Sequence, residues 1–423
     1  MPALVLLRSQ QVQDLRPGER GSSRGARSLY SVLVAGEVAL ACAQLGKGLA
    51  VALVEARPPA RDWPPGAIDL RVSAISRASQ RLLTRLGAWE RIRELGASPY
   101  RQMRVWDAVG GGRIHFDSQD LGETDLGHIV ENRVVQLALW EQLECAEEVT
   151  LVCPGGITDI ERQADGWRLL LTDGRHLGTR LLVGADGRDS LVRALAGIAT
   201  EGSEYGQRAI VATLVAECWH QETAWQRFLP TGPLALLPLR DGRCSLVWSA
   251  SDALARELMT LDDGAFADAL TDASDACLGR LRPDGPRAAI SLRAQHAKTY
   301  VEPGLALIGD AAHAIHPLAG QGVNLGFLDA AALVEALDLA LQRRRDIAGL
   351  WTLRHYERAR RGDNQLMLSA MDAFKRLFGH DQQPAATLRS LGLDLADRLT
   401  PLKRLFIAQA LGLDPHLPAL ARA

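Results

Sequence analysis

The sequence predicts an α/β fold: a parallel sheet flanked by helices, interleaved with an antiparallel sheet and followed by a helical region. Two observations carry the prediction. Short apolar runs alternate with helical periodicity over 30–95, 131–200 and 296–342, the pattern of parallel strands joined by crossover helices. Between these stretches, 100–130 and 205–295 hold alternating or apolar strand candidates, among them Ala209–Val215, Leu234–Leu239 and Cys244–Ser249. Pro238 and the turn Asp241-Gly242 separate two of these. The expected division places an extension outside the fold at 1–29 and the parallel-sheet portions at 30–98, 131–204 and 296–342. The antiparallel-sheet portions fall at 99–130 and 205–295, and helices fill 343–423.

Composition narrows the class. The chain has 423 residues, 47% of them hydrophobic, which is enough for two or more domains and a large core. A formal charge of -2 argues against a nucleic-acid partner, which calls for a strongly basic face. No uninterrupted apolar run approaches the roughly eighteen residues of a membrane span, so any lipid contact is expected to be peripheral. The six cysteines, Cys42, Cys145, Cys153, Cys218, Cys244 and Cys277, show neither a CxxC pair nor metal-ligand spacing. They read mostly as buried small hydrophobes in a reducing compartment, and no metal is expected.

The most informative stretch runs from Gly304 to Gly326, GLALIGDAAHAIHPLAGQGVNLG. Leu305 to Ile308 is a short apolar strand. Gly309 allows a sharp turn that puts Asp310 at the strand end, where a carboxylate accepts hydrogen bonds from sugar-like hydroxyls. Gly320 and Gly322 remove side chains where a flat ring or a phosphate must approach. The helix that follows, from about Asn324 through Ala336 and including Leu325, aims free N–H groups and its positive end at negative charge. A reduced flavin carries such a charge; the plainer account is an ordinary strand-turn-helix corner.

A second segment repeats the design. Leu181 to Arg193, LLVGADGRDSLVR, is again an apolar strand, here ending in a turn at Asp186-Gly187, with Ser190 and Arg193 at fixed offsets beyond it. Taken together, the two segments resemble the Asp-Gly and Gly-Asp motifs of the single-component flavoprotein aromatic hydroxylases. The resemblance implies a Rossmann-like FAD-binding sheet, an antiparallel substrate domain and a C-terminal helical region.

For that family the N-terminal part should supply a strand, a glycine-rich phosphate loop, a helix, a second strand and a ribose-binding acid. Tyr30–Val34, Glu37–Leu45, Leu49–Val54 and Glu55 fill those places in order. The loop departs from the pattern. From Val34 to Ala39 the chain reads VAGEVA, leaving Gly36 alone and setting Glu37 near the expected phosphates. The strand-to-acid distance is also short by about four residues, about 6 Å of helix. A carboxylate about 4 Å from a phosphate charge opposes binding by about 4 kcal/mol at an effective dielectric near 20. Three accounts remain open: a remodelled loop, loss of tight flavin binding, or a misread reading frame upstream. Residues 1–30 carry Arg8, Arg16, Arg20, Arg24 and Arg27 among serines; they read as a disordered or non-native extension, with a transit peptide as the alternative.

Beyond Glu55 the segments Asp69–Leu86 (DLRVSAISRASQRLLTRL), Met103–Ala108 (MRVWDA) and Leu126–Leu139 (LGHIVENRVVQLAL) resemble the ubiquinone-biosynthesis FAD-dependent hydroxylases, and within them the branch acting on 2-polyprenylphenols. The likeness runs from about residue 50 to the C-terminus. It implies FAD as cofactor and NAD(P)H as electron donor, with oxygen adding at flavin C4a and its distal atom passing to an electron-rich phenol carbon. Arg71 would neutralise diphosphate charge, and the Gln136 amide would meet ribityl or phosphate oxygens. Glu55 and Gly36 would serve the nucleotide, and Asp186, Gly187, Gly309, Asp310, Gly320, Gly322, Asn324 and Leu325 the flavin. His316-Pro317 would line its reactive face, His313 would be structural on a backbone carbonyl, and Leu236 and Pro238 would line the substrate pocket.

The implied partners are a polyprenylphenol and other ubiquinone-biosynthesis proteins, with cytoplasmic placement and peripheral contact at the inner membrane. A hydroxylase of another aromatic, or a cofactor-poor scaffold subunit, is the alternative. The runs Arg343–Arg345 and Glu357–Arg361 read as solvated helix faces, and Leu402–Leu411 as a helix docked on the core or touching a membrane.

Overall fold

A computed structural model describes residues 4–7, 38, 40–42, 49–314, 322–378 and 417–422. Its central sheet has the strand order β18-β19-β12-β1-β2-β8. The strands are β1 (Leu4–Leu7), β2 (Val51–Val54), β8 (Val149–Val152), β12 (Leu181–Gly184), β18 (Val301–Glu302) and β19 (Leu305–Leu307). Every pairing except β18 with β19 is parallel. Strands buried on both faces need continuous apolar runs, and β2, β12 and β19 are buried at every position. The register sets Leu7 beside both Val54 and Gly184, and Gly184 beside Leu307, so β2, β1, β12 and β19 end level.

One expectation is corrected here. Leu4–Leu7 lies within the stretch read as an extension outside the fold, yet it forms an inner strand between β12 and β2. The physical reason is that LVLL is the kind of unbroken apolar run an inner parallel strand requires. Tyr30–Val34 and Gly36, together with most of the expected helix after them, lie outside the described residues. Within that helix, Val38 and Leu40–Cys42 are helical and buried.

Eight helices matter below: α1 (Arg77–Arg85), α2 (Trp89–Gly96), α3 (Asn132–Cys145), α4 (Leu191–Leu195), α5 (Asp252–Thr260), α6 (Asp263–Ala273), α7 (Gly322–Gln342) and α8 (Leu350–Phe378). α7 starts two residues before the expected Asn324 and runs six past Ala336, carrying a buried apolar face against the central sheet.

A second sheet has eight strands in the order β20-β17-β13-β16-β15-β14-β5-β6. They are β5 (Gln102–Asp107), β6 (Arg113–Asp117), β13 (Thr200–Ala216), β14 (Thr223–Leu229), β15 (Gly232–Pro238), β16 (Cys244–Ser251), β17 (Leu281–Ala297) and β20 (His313–Ala314). It is antiparallel except where β14 runs parallel to β5. Its two faces differ by the period of two along each strand. Ile210, Ala212, Leu214, Leu234, Leu246 and Trp248 pack with Leu258 of α5 and Phe266 and Leu270 of α6. The alternate positions, such as Ala209, Val211, Thr213, Ser245 and Ser249, are buried but small.

A three-stranded sheet of β3 (Val72–Ile75), β7 (Gly127–Glu131) and β4 (Ala97–Tyr100) meets that small-residue face through Val72 and Ile129. Over 150–180 the helix-strand alternation expected from sequence gives way to an antiparallel meander of β9 (Ile157–Gln163), β10 (Gly166–Leu171) and β11 (His176–Thr179). The turn at Asp173–Arg175, with Gly174 at φ 84°, makes a hairpin within the stretch expected to alternate helix and strand. Cys42 and Cys244 are buried, with their thiols pushed up to about 12 by burial, whereas Cys145 and Cys218 are exposed. The Leu402–Leu411 segment lies outside the described residues.

Candidate functional site

Three carboxylates gather along one edge of the central sheet. Glu55 follows β2 directly, Asp186 lies two residues beyond β12, and Asp310 three beyond β19. Because the strands are parallel and end level, all three acids stand at their carboxyl ends, where open α/β sheets bind ligands. From β19 to β2 is three strand spacings, about 14 Å at about 4.8 Å each.

The two Asp-tipped corners are neighbours, although they are more than a hundred residues apart in sequence. Ile308 N–H donates to the Gly184 carbonyl at 3.0 Å, continuing the β12–β19 ladder to the turn. Asp186 Oδ1 accepts from the Ser190 hydroxyl at 2.5 Å, and Oδ2 accepts from Val192 N–H at 3.0 Å. Ser190 in turn caps α4 by accepting from Arg193 N–H at 3.0 Å. The Arg193 guanidinium, 8% exposed, donates to the Ala311 carbonyl at 2.8 Å and the Arg188 carbonyl at 2.8 Å. The serine and arginine offsets of the second motif thus have a purpose: one caps the helix and the other ties the two corners together. Gly184 is required by packing, since a Cβ there would lie 2.8 Å from Leu307 Cδ2 and 3.0 Å from Val192 Cγ1.

At the first corner Gly309 adopts φ 57°, the left-handed conformation that favours glycine. Burial pushes the Asp310 carboxyl up, opposed by the charges of His313, Arg71 and Arg188 that face it. Burial likewise raises Asp186, opposed by its bonds to Ser190 and Val192. Asp310 accepts no hydrogen bond among the described residues. Arg188 donates to the Ser291 carbonyl at 3.2 Å, while its buried Nε has no hydrogen-bond partner among the described residues. Arg71, called from sequence, is thus among the charges that act on Asp310, as is Arg188, which sequence reasoning passed over although it sits inside the quoted second motif.

Asn324, in the first turn of α7, is used as a tie. Its Oδ1 accepts from Ser76 N–H at 3.0 Å and the Ser79 hydroxyl at 2.7 Å, and its Nδ2 donates to the Ala74 carbonyl at 2.8 Å. This joins the start of α7 to the start of α1; Gly322 and Leu325 share that first turn, Leu325 being buried. Glu55 is 1% exposed, and its Oε1 accepts from Arg57 N–H at 2.8 Å. Gln136 is buried on α3, one turn after Asn132. Asn132 N–H donates to the Arg71 carbonyl at 3.0 Å and its Oδ1 accepts from the Ser73 hydroxyl at 2.6 Å, which leaves Nδ2 buried with no partner among the described residues.

Behind the corner lies a buried polar cluster that the sequence did not announce. His313 is structural, as expected, but its Nε2 is 2.5 Å from Asp329 Oδ2, a carboxylate rather than a backbone carbonyl. Asp329 also accepts from Gly309 N–H at 3.0 Å, Arg360 Nε at 2.9 Å and Asn364 Nδ2 at 3.1 Å. The run Glu357–Arg361, read as a solvated face, is corrected on this point. Arg360 is 3% exposed, and Glu357 accepts from Tyr300 N–H at 2.8 Å. The signal was present as the spacing Tyr356, Arg360, Asn364, one helix face of polar residues that needed a buried counter-charge to be interpreted.

The pocket assignment is also corrected. Leu236 is 0% exposed in the core shared with α5 and α6, and Pro238 is buried two residues along on the same face. The opposite face carries Ala235, Leu237 and Val247, packed near Ile68, Val72 and Ala74. Alternation along β15 explains the error, because a strand buried on both faces does not reveal which face is which. His316, Pro317 and Gly320 lie outside the described residues.

The FAD binding domain family matches residues 43–369. The chain is 39% identical to the 3-demethoxyubiquinol 3-hydroxylase of Escherichia coli, covering 90% of this chain and 96% of that one. It is 41% identical to the ubiquinone hydroxylase UbiL of Rhodospirillum rubrum, covering 90% and 89%. It is 37% identical to the human mitochondrial ubiquinone biosynthesis monooxygenase COQ6, covering 92% and 94%. The fold is that of p-nitrophenol 4-monooxygenase from Pseudomonas putida, with a TM-score of 0.74 at 16% identity over 97% of this chain and 98% of that one. The fold also matches Klebsiella pneumoniae HpxO complexed with FAD and uric acid, with a TM-score of 0.67 at 16% identity over 97% of each chain. The site fits such a cofactor: among the described residues no donor reaches Asp310, the buried Arg188 Nε and Asn132 Nδ2 have no partner, and the acids are spaced along one edge of the sheet. The chain belongs to the FAD-dependent hydroxylases of ubiquinone biosynthesis, enzymes of the aromatic monooxygenase class.

Proposed function

We propose that this chain hydroxylates the aromatic ring of a polyprenylphenol on the way to ubiquinone, with FAD as cofactor and NAD(P)H as electron donor. The observation that carries the proposal is the row of acids at the carboxyl ends of β2, β12 and β19, Glu55, Asp186 and Asp310, with the charges of Arg71 and Arg188 acting on Asp310. When bound, FAD supplies the oxygen-activating redox chemistry.

The chain's own residues bind and orient. Glu55 accepts the adenosine ribose hydroxyls, and Arg71 offsets diphosphate charge. Asp310, which no donor among the described residues reaches, accepts ribityl hydroxyls, while Asp186 with Gly187 shapes the adjoining corner. The Asn132 and Gln136 amides satisfy the remaining oxygens. The start of α7 at Gly322, Asn324 and Leu325 turns its partial positive charge toward the ring. On sequence grounds Gly36, Gly320, His316 and Pro317 complete the set. The parallel-sheet portions then hold the cofactor, and the eight-stranded sheet holds the substrate.

The substrate wall is the small-residue face of that sheet. Ala209, Val211, Thr213 and Val247 are small or short-branched residues on that face, which would let a ring and its tail approach. Each methylene of an isoprenoid tail buried there contributes about 0.8 kcal/mol, so two units supply several kcal/mol. Enclosing the ring also excludes water from the reacting atoms. A substrate with such a tail resides in a bilayer or on a lipid carrier. Delivery therefore calls for peripheral membrane contact and for other ubiquinone-biosynthesis proteins; among the described residues no helix is long and apolar enough to cross a membrane.

The test is to purify the full chain, record its visible spectrum and supply NADPH, oxygen and a short-chain prenylphenol. Flavin absorbance, substrate-dependent NADPH oxidation and a product heavier by one oxygen support the proposal. A colourless protein that consumes no NADPH yet retains its protein partners contradicts it in favour of a scaffold role.

A further inference from the structure

The geometry points to Asp329 as the positioning residue of the Gly309–Asp310 corner, held in place by α8, so that a helix remote in sequence sets how tightly the corner takes a flavin. This rests on the proposal that the corner binds FAD.

Asp329 is fully buried and saturated. One oxygen takes Gly309 N–H and His313 Nε2, and the other takes Arg360 Nε and Asn364 Nδ2. Arg360 also donates from its terminal nitrogen to Asn364 Oδ1 at 3.0 Å, which makes a closed triangle of Asp329, Arg360 and Asn364. From the same helix Tyr356 donates its hydroxyl to the carbonyl of Leu307, the last residue of β19, at 2.8 Å. α8 therefore grips the strand through Tyr356 and the turn after it through Asp329.

The turn needs that grip. Gly309 is held at φ 57°, and the direction of its amide determines where the next residue, Asp310, projects its carboxyl. Few packing contacts can orient a glycine, since it has no side chain; a hydrogen bond to its N–H from a fixed acceptor can. A charged cluster costs desolvation that an apolar one would not, so burial alone does not account for a carboxylate, a guanidinium and an amide at this place. Their common point of action is the amide of Gly309 and the imidazole of His313, and both belong to the segment that presents Asp310.

The experiment compares the wild-type chain with Asp329→Asn and Arg360→Lys, reading FAD affinity by titration of the apo-protein and amide hydrogen exchange of the apo-protein by segment. Asp329→Asn, which loses the ion pair and weakens the acceptor, should raise the FAD Kd by about thirty-fold, the equivalent of one charged hydrogen bond. Exchange should speed up in 307–312 while β13 and β16 stay protected. Arg360→Lys keeps the charge but loses the fork that reaches Asp329 and Asn364 together, and should raise the FAD Kd by about ten-fold.

Should Asp329→Asn not fold, Asn364→Ala removes one donor without altering charge, and should weaken FAD by about five-fold with the same local exchange. Unchanged affinity and corner protection in these variants would overturn the inference, as would exchange that rises equally throughout the sheets. A wild-type chain that takes up no FAD would overturn the binding proposal instead, and the exchange comparison, which needs no cofactor, would still decide the role of Asp329.

Discussion

At the β19–β12 end of the crevice, four segments distant in sequence converge on one corner: β12 with α4, β19 with its turn, the interior of α7 and the face of α8. At the β2 end the described residues offer Glu55, held by Val152, Gly155 and Arg57. Among the described residues the proposed ring end is tied by bonds from four segments and the proposed nucleotide end by bonds around one acid, so more of the site's proposed geometry rests on the first.

The comparison can be broken experimentally. The largest effect is expected for Asp310→Ala, which removes the acid that no donor among the described residues reaches. FAD affinity should fall by about a hundred-fold, two charged hydrogen bonds' worth, as measured by titration of the apo-protein. A fall below about three-fold would move the grip elsewhere. Next is Arg193→Met, which leaves the Ala311 and Arg188 carbonyls without their donor. It should cost about 2 kcal/mol in denaturant unfolding, the penalty for stranding buried acceptors, and should loosen both corners together. An unchanged midpoint would show that the corners hold independently.

Glu55→Gln should weaken FAD by about ten-fold, with the carboxamide still accepting one ribose hydroxyl. If this loss exceeded that of Asp310→Ala, the asymmetry between the two ends would be reversed. Gly184→Ala sharpens the picture at the ring end. A methyl group 2.8 Å from Leu307 forces the two strand tips apart, at about 1 kcal/mol, and a melting curve identical to wild type would contradict the close packing.

The smallest effect is on pH. Burial raises Asp310 and Asp186, so their contribution to apo-protein stability is complete below the ordinary carboxylate range and is lost as pH rises through the raised values. Asp329, in spite of burial, is held down to about 2 by His313 and Arg360, so its contribution is present above the ordinary range and is lost only as pH falls toward about 2. Burial lowers His128, His220 and His296, which act with the opposite sign over the same interval, so the readout is the difference between proteins: the wild type should lose melting temperature relative to Asp310→Asn as pH rises from mildly acidic to neutral. A difference that does not change with pH would contradict the assignment.

Much of the ring end was legible in the sequence, because its information is local. An apolar run that stops at a small-Asp-Gly or Gly-Asp turn states its own geometry, and both such turns lie where their spelling placed them. Arg71 was likewise found near Asp310. What escaped was non-local. Asp329 drew no reading of its own and Arg360 fell in a run read as a solvated helix face, since neither shows in its own segment that the other completes it. Leu236 and Pro238 were assigned to the wrong face, because β15 is buried on both sides and its alternation carries no polarity label. Leu4–Leu7 was passed over because an apolar tetrapeptide among arginines and serines has no neighbours in sequence to mark it as a strand; only β2 and β12 beside it do so.

The central claim is that FAD is gripped along the carboxyl ends of β2, β12 and β19. Its most direct test is a titration of apo-protein with FAD, following flavin fluorescence in the wild type and in Asp310→Ala side by side. Saturation at one flavin per chain, with affinity falling by about a hundred-fold in the variant, is the expected result. Equal affinities in the two proteins, or no saturable uptake by the wild type, would contradict it.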